Sequence, residues 1–356
     1  MCASSACAGD LVAQFHVDQW FWTSLKVWDE SIMPTSGRAS YVLWRPVANI
    51  ESVRNRQTGQ IYVPGTDYTL QGNQLVIPAG SAIPLTDPAW INSADPTTPA
   101  MWQPTTKAGT PLRISNDYQS KQIAATYSTP LYQPAPPLVS SYPAKFLAKL
   151  AAGQKVAITI EGDSITAGLN STKSMSMAPA QPGYVDLVIA YLSQHYPGQV
   201  YVRNHAVGGY TSGSVLSNAS ANLADVASDL VIVAVGMNDM AGSITGAQFQ
   251  SNLQQIIAAA RWCNSATEVL LVSSWPSNPD WTLTNNQAFV DYNAAMYQLA
   301  GSTQGVSVAD VTSAVWNSEM LNTKSFYDVT GNGVNHPNDW MYTLYAQTVL
   351  KSILGM

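Results

Sequence analysis

The stretch Lys155-Val-Ala-Ile-Thr-Ile-Glu-Gly-Asp-Ser-Ile-Thr-Ala-Gly168 (KVAITIEGDSITAG) changes character halfway along. Its first half is an apolar, β-branched run of strand length, and its second half is small, flexible and hydroxyl-bearing. A buried strand that stops on Gly-Asp-Ser and turns at once has two readings. One is a plain strand-to-helix turn. The other is a serine raised at a strand end, where it can attack a bound group.

The sequence around this stretch has a regular grammar. From about residue 149 to 356, apolar runs KVAITIE, VYVRN, LVIVAVG, EVLLVSS and GVSVAD alternate with the amphipathic stretches YVDLVIAYLSQHY, ITGAQFQSNLQQIIAAARW and NQAFVDYNAAMYQLAG. The runs read as parallel strands buried on both faces. A last helix, DWMYTLYAQTVLKSIL, closes the chain. Repeated βα units with right-handed crossovers predict an α/β domain, a three-layer doubly wound parallel sheet. In such sheets a site lies beyond the carboxyl ends of the strands. The first three strands meet that demand, ending on Gly162-Asp163-Ser164, on NHAVGGYTS with Gly208 and Gly209, and on Gly236-Met237-Asn238-Asp239. NGVNHPNDW with His336 precedes the last helix.

Residues 1–135 follow different rules, with short apolar runs between turn signals and much Pro, Gly, Thr and Gln. SYVLWRPV reads as a strand, and QIYVPGTDYTLQGNQLVIPAG as two short strands around Gln71-Gly72-Asn73. This predicts a smaller all-β, sandwich-like domain ahead of the α/β domain. Residues 136–148, overlapping the Pro-rich YQPAPPLVSSYPAKF (132–146), form the expected connector, and 149–356 the larger domain.

Composition narrows the function. The 356 residues suit two domains. Charged residues make up only 11%, and there are 11 Trp and 17 Tyr. This surface chemistry fits an extracellular or periplasmic protein handling neutral ligands such as glycans; no intact signal peptide is legible at the N-terminus. A net charge of −6 without a Lys/Arg cluster excludes nucleic acid as a partner. No run approaches the roughly 20 apolar residues of a membrane span. Three cysteines make neither a disulfide framework nor a metal site. Cys2 and Cys7 can pair, which leaves Cys263 as an expected buried thiol.

Ser164 is the candidate nucleophile. A hydroxyl attacks poorly unless a base takes its proton and donors stabilise the oxyanion formed. The backbone N–H groups of Ser164 and Gly209 and the amide of Asn238 are placed by the sheet to act as three donors. Four histidines compete to be the base. His16 lies in the β-rich region and His195 at a helix end. His205 follows the second strand and reads as a structural strand-end residue. His336, in a loop that can fold back over the strand ends, is favoured. Trp275, Trp281 and Trp340 are either a wall for substrate or loop packing.

The four segments GDSITAG, NHAVGGYTS, VGMND and VNHPND, in this order over residues 153–352, resemble the blocks of the SGNH hydrolases, the GDSL-type esterases. The resemblance implies Ser164 as nucleophile, His336 as base, an oxyanion hole of Ser164, Gly209 and Asn238, and no metal or cofactor. It implies a serine esterase for short acyl esters, with lipase, arylesterase or thioesterase action on longer chains as the alternative, or a glycan-binding protein with a decayed site. Asp163 then supports the turn. The family usually places an Asp three residues before the histidine, and here that residue is Gly333. Asp328, Asn332 or a backbone carbonyl is left to accept the His336 Nδ1 proton. A β-sandwich before the hydrolase and a dyad without the Asp are similar to some sugar O-acetyl esterases, which points to O-acetyl groups on carbohydrate.

Overall fold

The computed structural model describes residues 5–92, 101–107, 109–130, 141–224, 227–317 and 320–356. Eight short strands occupy the first part of the chain: β1 (Lys26–Ile32), β2 (Ser40–Val42), β3 (Asn49–Asn55), β4 (Thr69–Gln71), β5 (Gln74–Val76), β6 (Trp102–Gln103), β7 (Leu112–Arg113) and β8 (Ile123–Ser128). They form two antiparallel three-stranded sheets, β1-β8-β3 and β2-β5-β4, and a β6-β7 ribbon. The turn at Gln71-Gly72-Asn73 is a hairpin, since Gln71 pairs with Gln74 and Gly72 takes a φ of 58°. A helix, Ser5–Gln14, precedes these sheets.

Five parallel strands follow: β9 (Val156–Gly162), β10 (Val200–Asn204), β11 (Leu230–Ala234), β12 (Glu268–Val272) and β13 (Val306–Ala309), in the order β10-β9-β11-β12-β13. The expected doubly wound sheet is present. The chain reverses its direction of winding between β9 and β11, where Gly162 lies opposite Ala234 in register. Such a switch point opens a crevice beyond the strand ends. VYVRN departs from expectation. As an edge strand it has Tyr201, Arg203 and Asn204 exposed, so it is not buried on both faces.

The helices Tyr184–His195, Gly246–Ala260, Asn286–Ser302 and Asp339–Leu354 correspond to the amphipathic stretches. Thr245 and Asn338 cap two of them, their side chains accepting from the N–H of Gln248 and Met341. Asp339–Leu354 is buried on almost every side, because the N-terminal region covers its outer face. Gln347 inside it accepts from the Phe21 N–H at 2.8 Å and donates to the Gln19 carbonyl at 2.9 Å. One continuous apolar core runs from Val12 through Tyr127 to Ile353, so the β-rich region and the parallel sheet share it.

Of the expected connector, residues 136–140 lie outside the described residues, and a helix, Ala144–Ala151, already begins within its last part. Cys2 also lies outside them. Cys263 is exposed rather than buried, and its thiol meets the Ala224 carbonyl. Among the described residues no helix is long and apolar enough to cross a membrane.

Candidate active site

Ser164 stands in a turn tied by its own neighbours. The Asp163 carbonyl accepts from Ala167 N–H at 2.9 Å, and the Ser164 carbonyl accepts from Leu169 N–H at 3.0 Å. The Asp163 carboxylate accepts from Ile165 N–H at 2.9 Å, so Asp163 supports the turn, as expected. Burial pushes its pKa up to about 7. Among the described residues the Ser164 N–H itself has no partner within the protein, nor has that of Gly209.

Gly209 belongs to a tight turn after β10, closed by Tyr210 N–H donating to the Val207 carbonyl at 3.2 Å, with a φ of 83° at the third residue. A type II turn demands glycine there on conformational grounds. A side chain at Gly209 would meet open space, so the glycine is set by backbone conformation and not by contact with protein atoms. Its neighbour Gly208 faces Ser164: a Cβ there would lie 3.9 Å from Ser164 Cβ and 4.0 Å from Leu169 Cδ2. Asn238, after β11, donates from Nδ2 to the Tyr210 carbonyl at 3.0 Å. This bond joins the second and third segments, and an amide nitrogen keeps a second N–H for another acceptor. Beside it Asp239 is buried and accepts from the N–H of Ser212 at 3.0 Å, which fixes the following turn.

His336 meets Ser164 as anticipated, with 2.7 Å between Nε2 and Ser164 Oγ. The other three histidines are engaged elsewhere. His16 stacks on Trp28, and exposed His195 lies on Tyr191. His205 sits at the strand end, where its backbone N–H donates to the Ile160 carbonyl. Burial pushes the His336 pKa down to about 4, and no charged neighbour contributes. The imidazole is therefore neutral at pH 7 and can accept a proton.

The partner of Nδ1 is none of the three anticipated. Asp328 is spent on a helix start, accepting from Met33 N–H at 2.7 Å and Ser325 N–H at 2.9 Å. Asn332 shapes the loop, its Oδ1 accepting from the N–H groups of Val334, Asn335 and His336. Asn170 Oδ1 instead lies 2.5 Å from His336 Nδ1. Asn170 is buried and has a φ of 61°, a left-handed conformation that Asn tolerates better than most residues. It comes six residues after Ser164 in the same turn. The one sequence signal for it was a polar, turn-favouring residue just beyond Gly168.

The position where an Asp was anticipated is filled from outside. Gly333 has a φ of 86°, and a Cβ there would lie 2.3 Å from Tyr118 Cζ. Tyr118 comes from the β-rich region, so its ring takes the space that a side chain at 333 would need. The same region grips the loop elsewhere. Gln122 donates to the carbonyls of Tyr327 and Thr330, and Asn338 donates to Gln122; Gln119 reaches the serine turn as well, donating to the Asn170 carbonyl at 2.5 Å. Lys324 and Glu30, both fully buried, form an ion pair at 2.6 Å.

The three tryptophans are packing residues. Trp275 is fully buried and donates to the Asn335 carbonyl at 2.8 Å, beneath the His336 loop. Trp340 packs against Phe21 and Trp44, and Trp281 is also buried. Exposed apolar side chains next to Gly208 come instead from Leu169, whose Cδ2 it faces, and from Val207, its neighbour in sequence.

The profile of the GDSL-like lipase/acylhydrolase family matches residues 161–344. No curated protein matches the chain. Similar solved structures include LAE5, an α/β hydrolase from the metagenome of Lake Arreo, Spain, at 19% identity over 56% of this chain and 97% of that one, with a TM-score of 0.46. The acetylxylan esterase Axe2 of Geobacillus stearothermophilus matches at 18% identity over 56% of this chain and 95% of its own, with a TM-score of 0.45. A lipolytic G-D-S-L protein of Veillonella parvula matches at 18% identity, over 56% and 99% of the two chains, with a TM-score of 0.44. With its four blocks and its parallel sheet, the chain belongs to the GDSL-like lipase/acylhydrolase family, an ester hydrolase of the SGNH superfamily.

Proposed function

We propose that the protein is a serine esterase for short acyl esters, with O-acetyl groups on carbohydrate as its substrates. The observation that carries this reading is the 2.7 Å contact between Ser164 Oγ and a neutral, buried His336, opening onto an exposed lip of Val207, Gly208 and Gly209. Ser164 attacks the acyl carbon while His336 Nε2 takes its proton. The N–H groups of Ser164 and Gly209 and the second N–H of Asn238 hold the oxyanion. The alcohol leaves with the proton from His336. Water then attacks the acyl-enzyme with His336 as base again. Asn170 holds the Nδ1–H tautomer but carries no charge to stabilise the imidazolium that forms.

Two exposed apolar side chains beside Gly208, Leu169 and Val207, suit a small acyl group, with the alcohol left in solvent. That fits a bulky, neutral alcohol such as a glycan, as does a surface poor in charge. Secretion to the extracellular or periplasmic space is the matching location. Turnover of acetyl and decanoyl esters by the wild type and by Ser164→Ala tests the reading. It expects preference for the acetyl ester and a loss of about 10³-fold or more in Ser164→Ala. Preference for decanoyl would favour a lipase, and wild-type activity in Ser164→Ala would refute a serine esterase altogether.

A further inference from the structure

The amide of Asn170 has two unlike ends, and only one serves the reaction. With Oδ1 towards His336 Nδ1, the ring carries its proton on Nδ1 and offers the Nε2 lone pair to Ser164. With the NH₂ end there, the ring takes the Nε2–H tautomer and cannot accept the Ser164 proton. What holds the amide in the useful orientation lies on its far side. Asn170 Nδ2 donates to Asn116 Oδ1 at 2.7 Å, and Met175 Sδ, a second and weaker acceptor, lies 3.7 Å away. Asn116 belongs to the β-rich region, between β7 and the short helix Tyr118–Lys121, and its side chain is exposed.

We propose that Asn116 is a positioning residue for proton transfer: by accepting from Asn170 it fixes the Asn170 amide, and through it the reactive tautomer of His336. The β-rich region then completes the relay Asn116–Asn170–His336–Ser164 that a carboxylate would otherwise end. In the step itself the Ser164 O–H bond breaks as the new bond to the acyl carbon forms, and the proton goes to His336 Nε2; Asn116 and Asn170 exchange no proton. This rests on the esterase reading of Ser164 and His336.

The test varies the hydrogen-bonding sense at position 116 on a short aryl acetate at pH 8. Asn116→Ala removes the acceptor and is expected to lower kcat about twofold, by leaving the two amide orientations comparable. Asn116→Lys presents only donors, draws Oδ1 away from His336, and is expected to lower kcat about tenfold or more with KM little changed. Asn116→Asp, an acceptor only, rescues the rate. The deciding arm repeats Asn116→Lys in an Asn170→Asp background. A carboxylate has two equivalent oxygens and needs no orienting, so the tenfold loss is expected to vanish there. An equal loss in both backgrounds, or an Asn116→Asp variant as slow as Asn116→Lys, would overturn the proposal. Labelling of wild-type Ser164 by a fluorophosphonate separates the two levels: labelling with a flat series at position 116 removes only the role of Asn116, and no labelling removes the esterase reading beneath it.

Discussion

The turn that carries Ser164 and the loop that carries His336 meet at 2.7 Å, yet they are built in opposite ways. The serine turn is closed by its own backbone: from Asp163 to Leu169 its backbone–backbone hydrogen bonds join residues within five positions of one another, and it follows directly from the end of β9. The histidine loop is held from far away in the chain. Gln122 and Tyr118 bind or fill it from the β-rich region, and Glu30 neutralises Lys324 at its approach. A site assembled this way has its nucleophile fixed by the sheet, whereas its base is fixed by docking of a second region onto the sheet.

That difference can be broken from the histidine side. Glu30→Gln leaves the Lys324 ammonium buried without its carboxylate, more than 290 residues away in sequence. Removing one partner of a buried pair destabilises by about 3–5 kcal/mol. The expected outcome is a large fall in Tm together with lost turnover, since the segment leading to His336 loosens. Unchanged Tm would mean that the docking contributes little. The contrasting variant lies on the serine side. Asn238→Ala removes one proposed oxyanion donor and its tie to the Tyr210 carbonyl, and is expected to lower kcat about 10²-fold, near 2.7 kcal/mol, with little change in Tm. A comparable fall in Tm would show that both halves depend on the same long-range packing.

The same division explains what was legible in the sequence. The doubly wound sheet and the strand-end turns that carry Ser164, Gly209 and Asn238 were readable because strand period, turn chemistry and position after a strand are properties of adjacent residues. His336 was readable because few histidines compete and its loop precedes the last helix. The acceptor for its Nδ1 was not, because Asn170 reaches it through a left-handed residue in the serine turn, and no spacing rule joins positions 166 residues apart. Gly333 looked like a missing part. It is the glycine that Tyr118 requires, and a contact across regions leaves no mark on either local pattern. Trp340 left two readings open for the same reason: its place beside His336 fitted either substrate contact or packing, and the β-rich region buries it against Phe21 and Trp44.

In the proposed mechanism Ser164 is activated by a buried neutral imidazole held by an amide in place of a carboxylate. The pH dependence of kcat/KM, measured for the wild type and Asn170→Asp, tests it most directly. Activity needs the unprotonated ring, so it falls only as pH drops through the His336 pKa, which burial lowers to about 4 from an ordinary 6.5. A carboxylate at position 170 would favour the imidazolium and move that limb upward. The account predicts that the wild type keeps its rate at pH 5 while Asn170→Asp loses activity already at higher pH. A wild-type limb at an ordinary histidine value, or one that Asn170→Asp leaves in place, would contradict it.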